Sequence, residues 1–486
     1  MAITIISNFT SGKYYPSSNS INCTINSNNS GNCNFRYICD IYINGTKVFS
    51  DKIFPDPSTG HGFFQCSRVI QDYIQTSLPY SPYTSLVNLA GGASAPSSIL
   101  SVSCKFGEEY DTSVACDGTV YQFTNLSTSN TFYVFEGVVD YEDYPTYTYT
   151  DYLIGTQSGT KKFLTNSPRE AEVTYNDSYF LDFLSNATIT GSYSLAIIAT
   201  TNTGTYSATT TLSSLSVRRR YRLAVGPYDI NKLNASPIIN QKTNKYEVWL
   251  NYNGIQVSEK FTFNVKPPKT FQTRLAFTGL LGGIETFTFF HRNNKRFDVQ
   301  RSSYEKNLET NISNVWKYRV GDRGTTTYKI NAKETHSVST YCNRDISEWL
   351  YEMWLSPDVW TFRRPELIPF RTYKDGSEIW FWLNDGHDLS VGDTFLCFPT
   401  TNSLYDDLID TFTVVAVDGN KVDCNLVYSS WSDTEGACGW IQKVSDWDRL
   451  PVVISDSVID VKQKTSKPIE YALNYSAAYS KNTLRG

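Results

Sequence analysis

The chain has 486 residues, of which 40% are hydrophobic, 15% aromatic and 19% charged, and its formal net charge is −5. That length exceeds what one hydrophobic core supports, so about two to four domains are expected. The acidic balance excludes a basic field over the whole chain and, with it, broad nucleic-acid binding. No apolar run approaches the roughly 18 residues that cross a bilayer.

With 34 Tyr against 2 Met, and Asn, Ser and Thr filling much of the remainder, the composition is that of β-sheets joined by polar turns. The ten cysteines form no CxxC pair, so the usual zinc spacing is missing. The opening MAITIISNFTSGKYYP lacks the basic and apolar regions of a secretory signal, so the chain is expected to be made in a reducing cytoplasm. Cys23, Cys33, Cys39, Cys66, Cys104 and Cys116 crowd the first quarter, and Cys342, Cys397, Cys424 and Cys438 the last third. They read as reduced, small hydrophobes inside sheets, with disulfides formed after release from a cell as the rival.

In chain order, Phe35, Tyr37, Cys39, Ile41 and Ile43 share one face of a strand, and Asn44-Gly45 turns it into a second strand over Lys47–Phe54. Val69, Ile70, Tyr73 and Ile74 have helical spacing within Ser67–Ile74. Strands are expected at Ile99–Phe106, Thr119–Phe123 and Thr131–Val139, making residues 1–160 a β-sandwich with one helix. Strands at Ala171–Tyr175, Tyr193–Thr200, Tyr206–Leu212, Tyr221–Val225, Tyr246–Tyr252 and Lys260–Val265 predict a second sandwich over residues 161–268. Pro267-Pro268 then closes that pattern, since consecutive prolines cannot sit in a central strand.

Residues 269–486 form the third predicted domain. It opens on the glycine-broken apolar run Thr273–Phe290, whose alternation beyond Gly283 points to a bent strand and not to a phosphate loop. A helix is expected from Asp345, with Asp345 capping, Glu348 reaching back, Ile346, Trp349, Leu350, Met353 and Trp354 as its apolar face, and Pro357 as its stop. A hairpin over Leu367–Tyr373 and Glu378–Leu383 follows, and the stretch at about 385–445 reads as a small five-stranded β-barrel inserted as a loop. The fold class is therefore mainly β and multidomain: β-sandwich domains plus a C-terminal β-rich domain with one short helix and an inserted small β-barrel.

Only four histidines occur, His61, His291, His336 and His387, and there is no HExxH, Walker A loop, GxGxxG or GxSxG. No catalytic residue, metal ligand or cofactor site is assigned. Asp140, Glu142, Asp143 and Asp151 lie among Tyr141, Tyr144, Tyr147, Tyr149 and Tyr152, a pattern that fits a glycan- or partner-contacting surface, a hydrolytic pair of acids, or a solvated edge. Two basic clusters stand out: Arg218, Arg219, Arg220 and Arg222, then His291, Arg292, Lys295, Arg296 and Arg301. They fit a subunit interface or a channel that contacts DNA phosphates without reading sequence.

The order of LAFTGLLGGIETFTFFHRNNKR, DISEWLYEMWLSPDVWTF, ELIPFRTYKDGS and the terminal YALNYSAAYSKNTLRG resembles virion tail proteins of Bacteroidetes phages, including crAss-like podoviruses. The segment FRYICDIYINGTKVFSDKIFPDPSTGHGFFQCSRVIQDYI is similar to the front of such proteins, so the likeness covers about half of the chain. It implies a non-enzymatic tail hub, ring or baseplate subunit that is assembled in the host cytoplasm and resides in the virion. The implied partners are copies of itself in a ring, other tail proteins and, transiently, phage DNA. A receptor- or carbohydrate-binding tail adhesin is the alternative, and a tail-associated cell-wall hydrolase a further one.

Overall fold

The computed structural model describes residues 3–74, 76, 78, 83, 85–90, 98–112, 116, 121–155, 159–185, 191–212, 215–216, 218–233, 238–239, 242–269, 272–305, 309–318, 324–363, 367–375, 378–383, 387–399, 411–427, 438–444, 448–456 and 469–478. The chain divides into two compact units. One comprises Met1–Pro267, Thr278–Thr286 and Pro365–Asp446, and the other Pro268–Phe277, Phe287–Arg364 and Trp447–Gly486.

Within the first unit, strand Cys33–Ile43 buries Phe35, Tyr37, Cys39, Ile41 and Ile43 on the expected face, and Ile38 and Asp40 of the other face are buried as well. Asn44 and Gly45 have φ of 50° and 84°, the left-handed pair of a tight hairpin turn, and the chain returns as Thr46–Ile53. On its other side Cys33–Ile43 pairs antiparallel with Ile99–Asp111. A small sheet of Ile3–Ser7, Asn22–Ser27 and Gly62–Gln65 shares the core, with Cys23, Ile25 and Phe64 meeting Tyr37, Cys39 and Phe106. The expected helix is the short turn Ser67–Gln71, which buries Ile70.

A second core joins two further sheets. One has the order Leu153–Ile154, Phe180–Ser185, Arg220–Ala224, Val87–Leu89; the other has the order Glu170–Thr174, Phe261–Lys266, Thr243–Tyr252, Tyr193–Thr201, Thr205–Thr211. Leu181, Phe183, Tyr221 and Leu223 from the first pack against Leu195, Ile197, Tyr246, Val248 and Phe263 from the second. Strand Phe180–Ser185 is buried along its whole length, so it shows no apolar–polar alternation and goes unpredicted. Helix Pro227–Leu233 is also unexpected. Proline at its first position has the right φ and lacks only an N–H that would have had no helical partner.

The run Thr273–Phe290 forms two strands, Thr273–Thr278 and Ile284–Phe289, around a tight turn. Gly282 has φ 74°, and a Cβ there would lie 2.1 Å from the Glu136 carbonyl oxygen; one on Gly283 would lie 2.5 Å from that of Leu164. Only glycine fits that approach of backbone to backbone. The turn is closed by Gly279 N donating to Gly283 O and fastened by Val138 N donating to Leu280 O, at 2.8 and 2.6 Å.

In the second unit, helix Arg344–Leu355 covers one face of a sheet, with Trp349, Leu350 and Met353 packed on Leu275, Val338, Val452 and Leu473. Its cap is Asn343 and not Asp345: Asn343 Oδ1 accepts from Ile346 N at 2.9 Å. Glu348 does not reach back, because Arg344 one turn earlier engages it at 2.6 Å. The sheet runs Ile284–Phe289, Thr273–Thr278, Val359–Arg363, Asp448–Ile454, Ile469–Ala477, Thr325–Cys342, Arg292–Glu305.

Its last two strands outrun the rest. Ile469–Ser476 pairs with Thr325–Cys342 only over Thr335–Cys342, so Phe297–Glu305 and Thr325–Glu334 continue as a two-stranded arm. Nine residues of extended chain make this arm roughly 30 Å long.

The inserted barrel is a correction. Residues from that stretch join the hairpin Leu367–Asp375 and Glu378–Leu383 in an open seven-stranded sheet, ordered Thr411–Thr413, Thr394–Pro399, Cys438–Val444, Leu367–Asp375, Glu378–Leu383, Lys421–Val427, Ala416–Asp418. The two edge strands are three residues each and do not pair with one another. Between them Val414 N donates to Asp393 O and Val415 N to Asp423 O, both at 2.8 Å, so the connecting backbone is engaged on either side and no ladder closes the sheet.

Candidate functional site

The first basic cluster splits. Arg220 and Arg222 lie on one face of strand Arg220–Ala224, opposite Leu184 and Asp182 of the neighbouring strand, and are completely buried. Arg222 holds Asp182 with two bonds, Nε to Oδ1 at 2.7 Å and Nη2 to Oδ2 at 3.0 Å, while Arg220 Nε donates to Oδ2 at 3.1 Å. Arg220 also donates to the Glu136 carbonyl at 3.1 Å, and Arg222 to the Tyr83 hydroxyl at 3.1 Å. Burial pulls the Arg220 guanidinium below its usual pKa. Arg220 is therefore withdrawn from any interface or DNA-facing surface, contrary to expectation, because a carboxylate inside the sheet neutralises it. Arg218 and Arg219 are exposed, and Arg218 lies over the Tyr133 ring at 5.1 Å.

The second cluster sits at the root of the arm. Arg292, Lys295 and Arg296 are exposed; Lys295 pairs with Glu334 at 2.6 Å and Arg296 with Asp298 at 2.8 Å. Further along, Phe297, Tyr304 and Tyr328 are 57%, 47% and 54% exposed.

The Tyr-rich run folds into two short 3-10 turns, Tyr144–Thr146 and Tyr149–Tyr152, and borders a cavity of about 350 Å³. Asp140, Asp143, Asp151, Tyr147, Tyr152 and Lys162 face it. Tyr147 stacks between Tyr144 and Tyr152 at 6.3 and 6.1 Å, and burial raises the pKa of all three phenols, so they remain neutral hydrogen-bonding groups. Tyr149 stacks instead on Tyr14, and Tyr141 stands in solvent at 92% exposure. The cavity thus gathers aromatic faces and carboxylates, the chemistry that binds a polyhydroxylated ring.

A further constellation escaped the sequence reading. The Sγ atoms of Cys39, Cys66 and Cys104 all lie within 4.8 Å of one another, and Cys66 and Cys104 are 3.7 Å apart. Cys39 and Cys104 project from adjacent strands of one sheet, and Cys66 follows strand Gly62–Gln65 of the facing one. Each residue is at most 1% exposed. The Cys104 and Cys39 thiols support a negative charge on Cys66 and lower its pKa to about 5. Cys33 and Cys116, by contrast, form a disulfide with Cα atoms 5.5 Å apart, so those two depart from the reduced reading.

No protein-family model matches the chain, and no curated protein is found to be similar to it.

Proposed function

We propose that the chain is a structural subunit of a bacteriophage tail, of the hub, ring or baseplate kind, which assembles with copies of itself and other tail proteins around the path of the ejected DNA. The observation that carries this reading is the arm. A two-stranded ribbon is marginal in water by itself, and this one leaves Phe297, Val299, Tyr304 and Tyr328 exposed, so a neighbouring surface has apolar area to cover. The arm and its root together carry Arg292, Lys295, Arg296, Arg301, Lys329 and Lys333 against Asp298, Glu305 and Glu334, whereas the whole chain is net −5. The rest of the chain is therefore acidic, and a second copy offers the complementary field. Mass photometry and negative-stain microscopy across protein and salt concentrations test the assignment. Closed rings that loosen with salt are expected; a chain that stays monomeric alone and with virion proteins refutes it.

The Tyr147 cavity favours a second reading, a glycan-binding tail adhesin. Binding on a glycan array that disappears in Tyr147→Ala with Asp143→Ala supports it, and a blank array removes it.

A further inference from the structure

We propose that Cys39, Cys66 and Cys104 form a thiolate zinc site that ties together the two sheets of the N-terminal core. Zinc–sulfur bonds of about 2.3 Å set tetrahedral S···S edges at about 3.8 Å, and the Cys66–Cys104 separation of 3.7 Å matches this. Cys39 closes the triangle within 4.8 Å. Cys23, 1% exposed on strand Asn22–Ser27, belongs to the same core but lies outside the three-thiol group. Among the described residues it is the remaining free thiol of that core.

Chemistry and position both favour a metal. Thiolates in a water-excluded space are soft ligands that select zinc over magnesium or calcium. Binding converts thiols to thiolates and releases their protons to solvent. The mechanical consequence is a cross-link. Cys39 and Cys104 belong to one sheet, and Cys66 to the turn where the facing sheet's strand Gly62–Gln65 enters helix Ser67–Gln71. The small sheet has three strands against the six of the sheet it faces.

The test uses the full chain, produced with zinc in the medium and purified under reducing conditions without chelator. Elemental analysis is expected to find about one zinc per chain. Zinc should fall to background in Cys66→Ser and Cys104→Ser and persist in Cys342→Ser and Cys397→Ser. Chelator-stripped chain titrated with cobalt(II) alone should develop the sulfur-to-metal charge-transfer and intense visible bands of a tetrahedral thiolate site. Both wild-type measurements decide the question even where a serine variant does not fold. Metal-free protein that gives no cobalt bands while its thiols titrate as reduced would overturn the proposal, as would peptide mapping that finds Cys66 joined to Cys104 by a disulfide.

Discussion

Asp182 shows how much a single carboxylate decides. It is the anion between two fully buried guanidiniums, so Asp182→Ala leaves Arg220 and Arg222 without it in a region of low dielectric. Removing one partner of a buried ionic group costs about 3–5 kcal/mol. The denaturant midpoint should drop accordingly, and Asp182→Asn should recover only part of the loss. Gly282→Ala combines a left-handed backbone with a collision against the Glu136 carbonyl. It should therefore destabilise by more than the ~1–3 kcal/mol of backbone strain alone, which Gly254→Ala, at φ 82° with nothing nearby, isolates. Asp56 offers a pH-dependent readout. Ser58 and Thr59 donate to Oδ1 from side chain and backbone and lower its pKa from 3.8 to about 2. Because the folded value is depressed, the contribution to stability is present above pH 3.8 and disappears as pH falls through about 2. Asp56 is solvent-exposed, so the effect on the whole fold is small, but carbon-13 NMR of the carboxyl should place the titration midpoint near that value and Ser58→Ala should raise it. At this scale the sequence was legible in part. Arg220 and Arg222 alternate with Tyr221 and Leu223, and Asp182 interrupts an apolar strand; together they signal a buried pair that a simple count of basic residues obscures. The cysteine cluster had no such local sign, since its members come from separate strands and only pairing and sheet packing unite them.

Fully buried strands were legible only in part: Arg220–Ala224 was expected as Tyr221–Val225, whereas Phe180–Ser185 was not expected. Strand Cys33–Ile43 declares itself by alternation, and helix Arg344–Leu355 by the spacing of Trp349, Leu350 and Met353. Phe180–Ser185 is covered on both faces and lacks that pattern. The helix start was misplaced by two residues because Asn343 and Asp345 are both good caps, and the choice rests on Arg344 drawing Glu348 away from the cap. Asn343→Ala should therefore cost about 1 kcal/mol and Asp345→Ala clearly less, while Leu350→Ala, which opens the core beneath the helix, should cost about 2–5 kcal/mol. Urea unfolding followed by tryptophan fluorescence at Trp349 and Trp354 distinguishes the three. The open sheet that replaced the expected barrel teaches a related lesson. Strand count and tight turns were visible in the sequence, whereas closure depended on where Val414 and Val415 direct two backbone N–H groups.

For the molecule as a whole, the arm and the division into two units carry the consequences. Replacing residues 297–334 with a tight turn should leave the melting transition of the remaining chain nearly unchanged, because Phe297–Glu305 and Thr325–Glu334 pair only with one another. The same deletion should abolish self-association in mass photometry, and rings that persist without the arm would place the contact elsewhere. The two units also interleave along the chain: it leaves the first after Pro267, re-enters at Thr278, leaves after Thr286, re-enters at Pro365 and leaves again after Asp446. Neither unit is thus a contiguous piece that a ribosome can finish and release before the next begins. The sheet beneath helix Arg344–Leu355 waits longest, since Asp448–Ile454 and Ile469–Ala477 occupy its middle and are the last of its strands to be made. Until then its earlier strands expose unpaired edges, so a nascent chain stalled short of residue 477 should be the species most readily captured by chaperones or lost to aggregation.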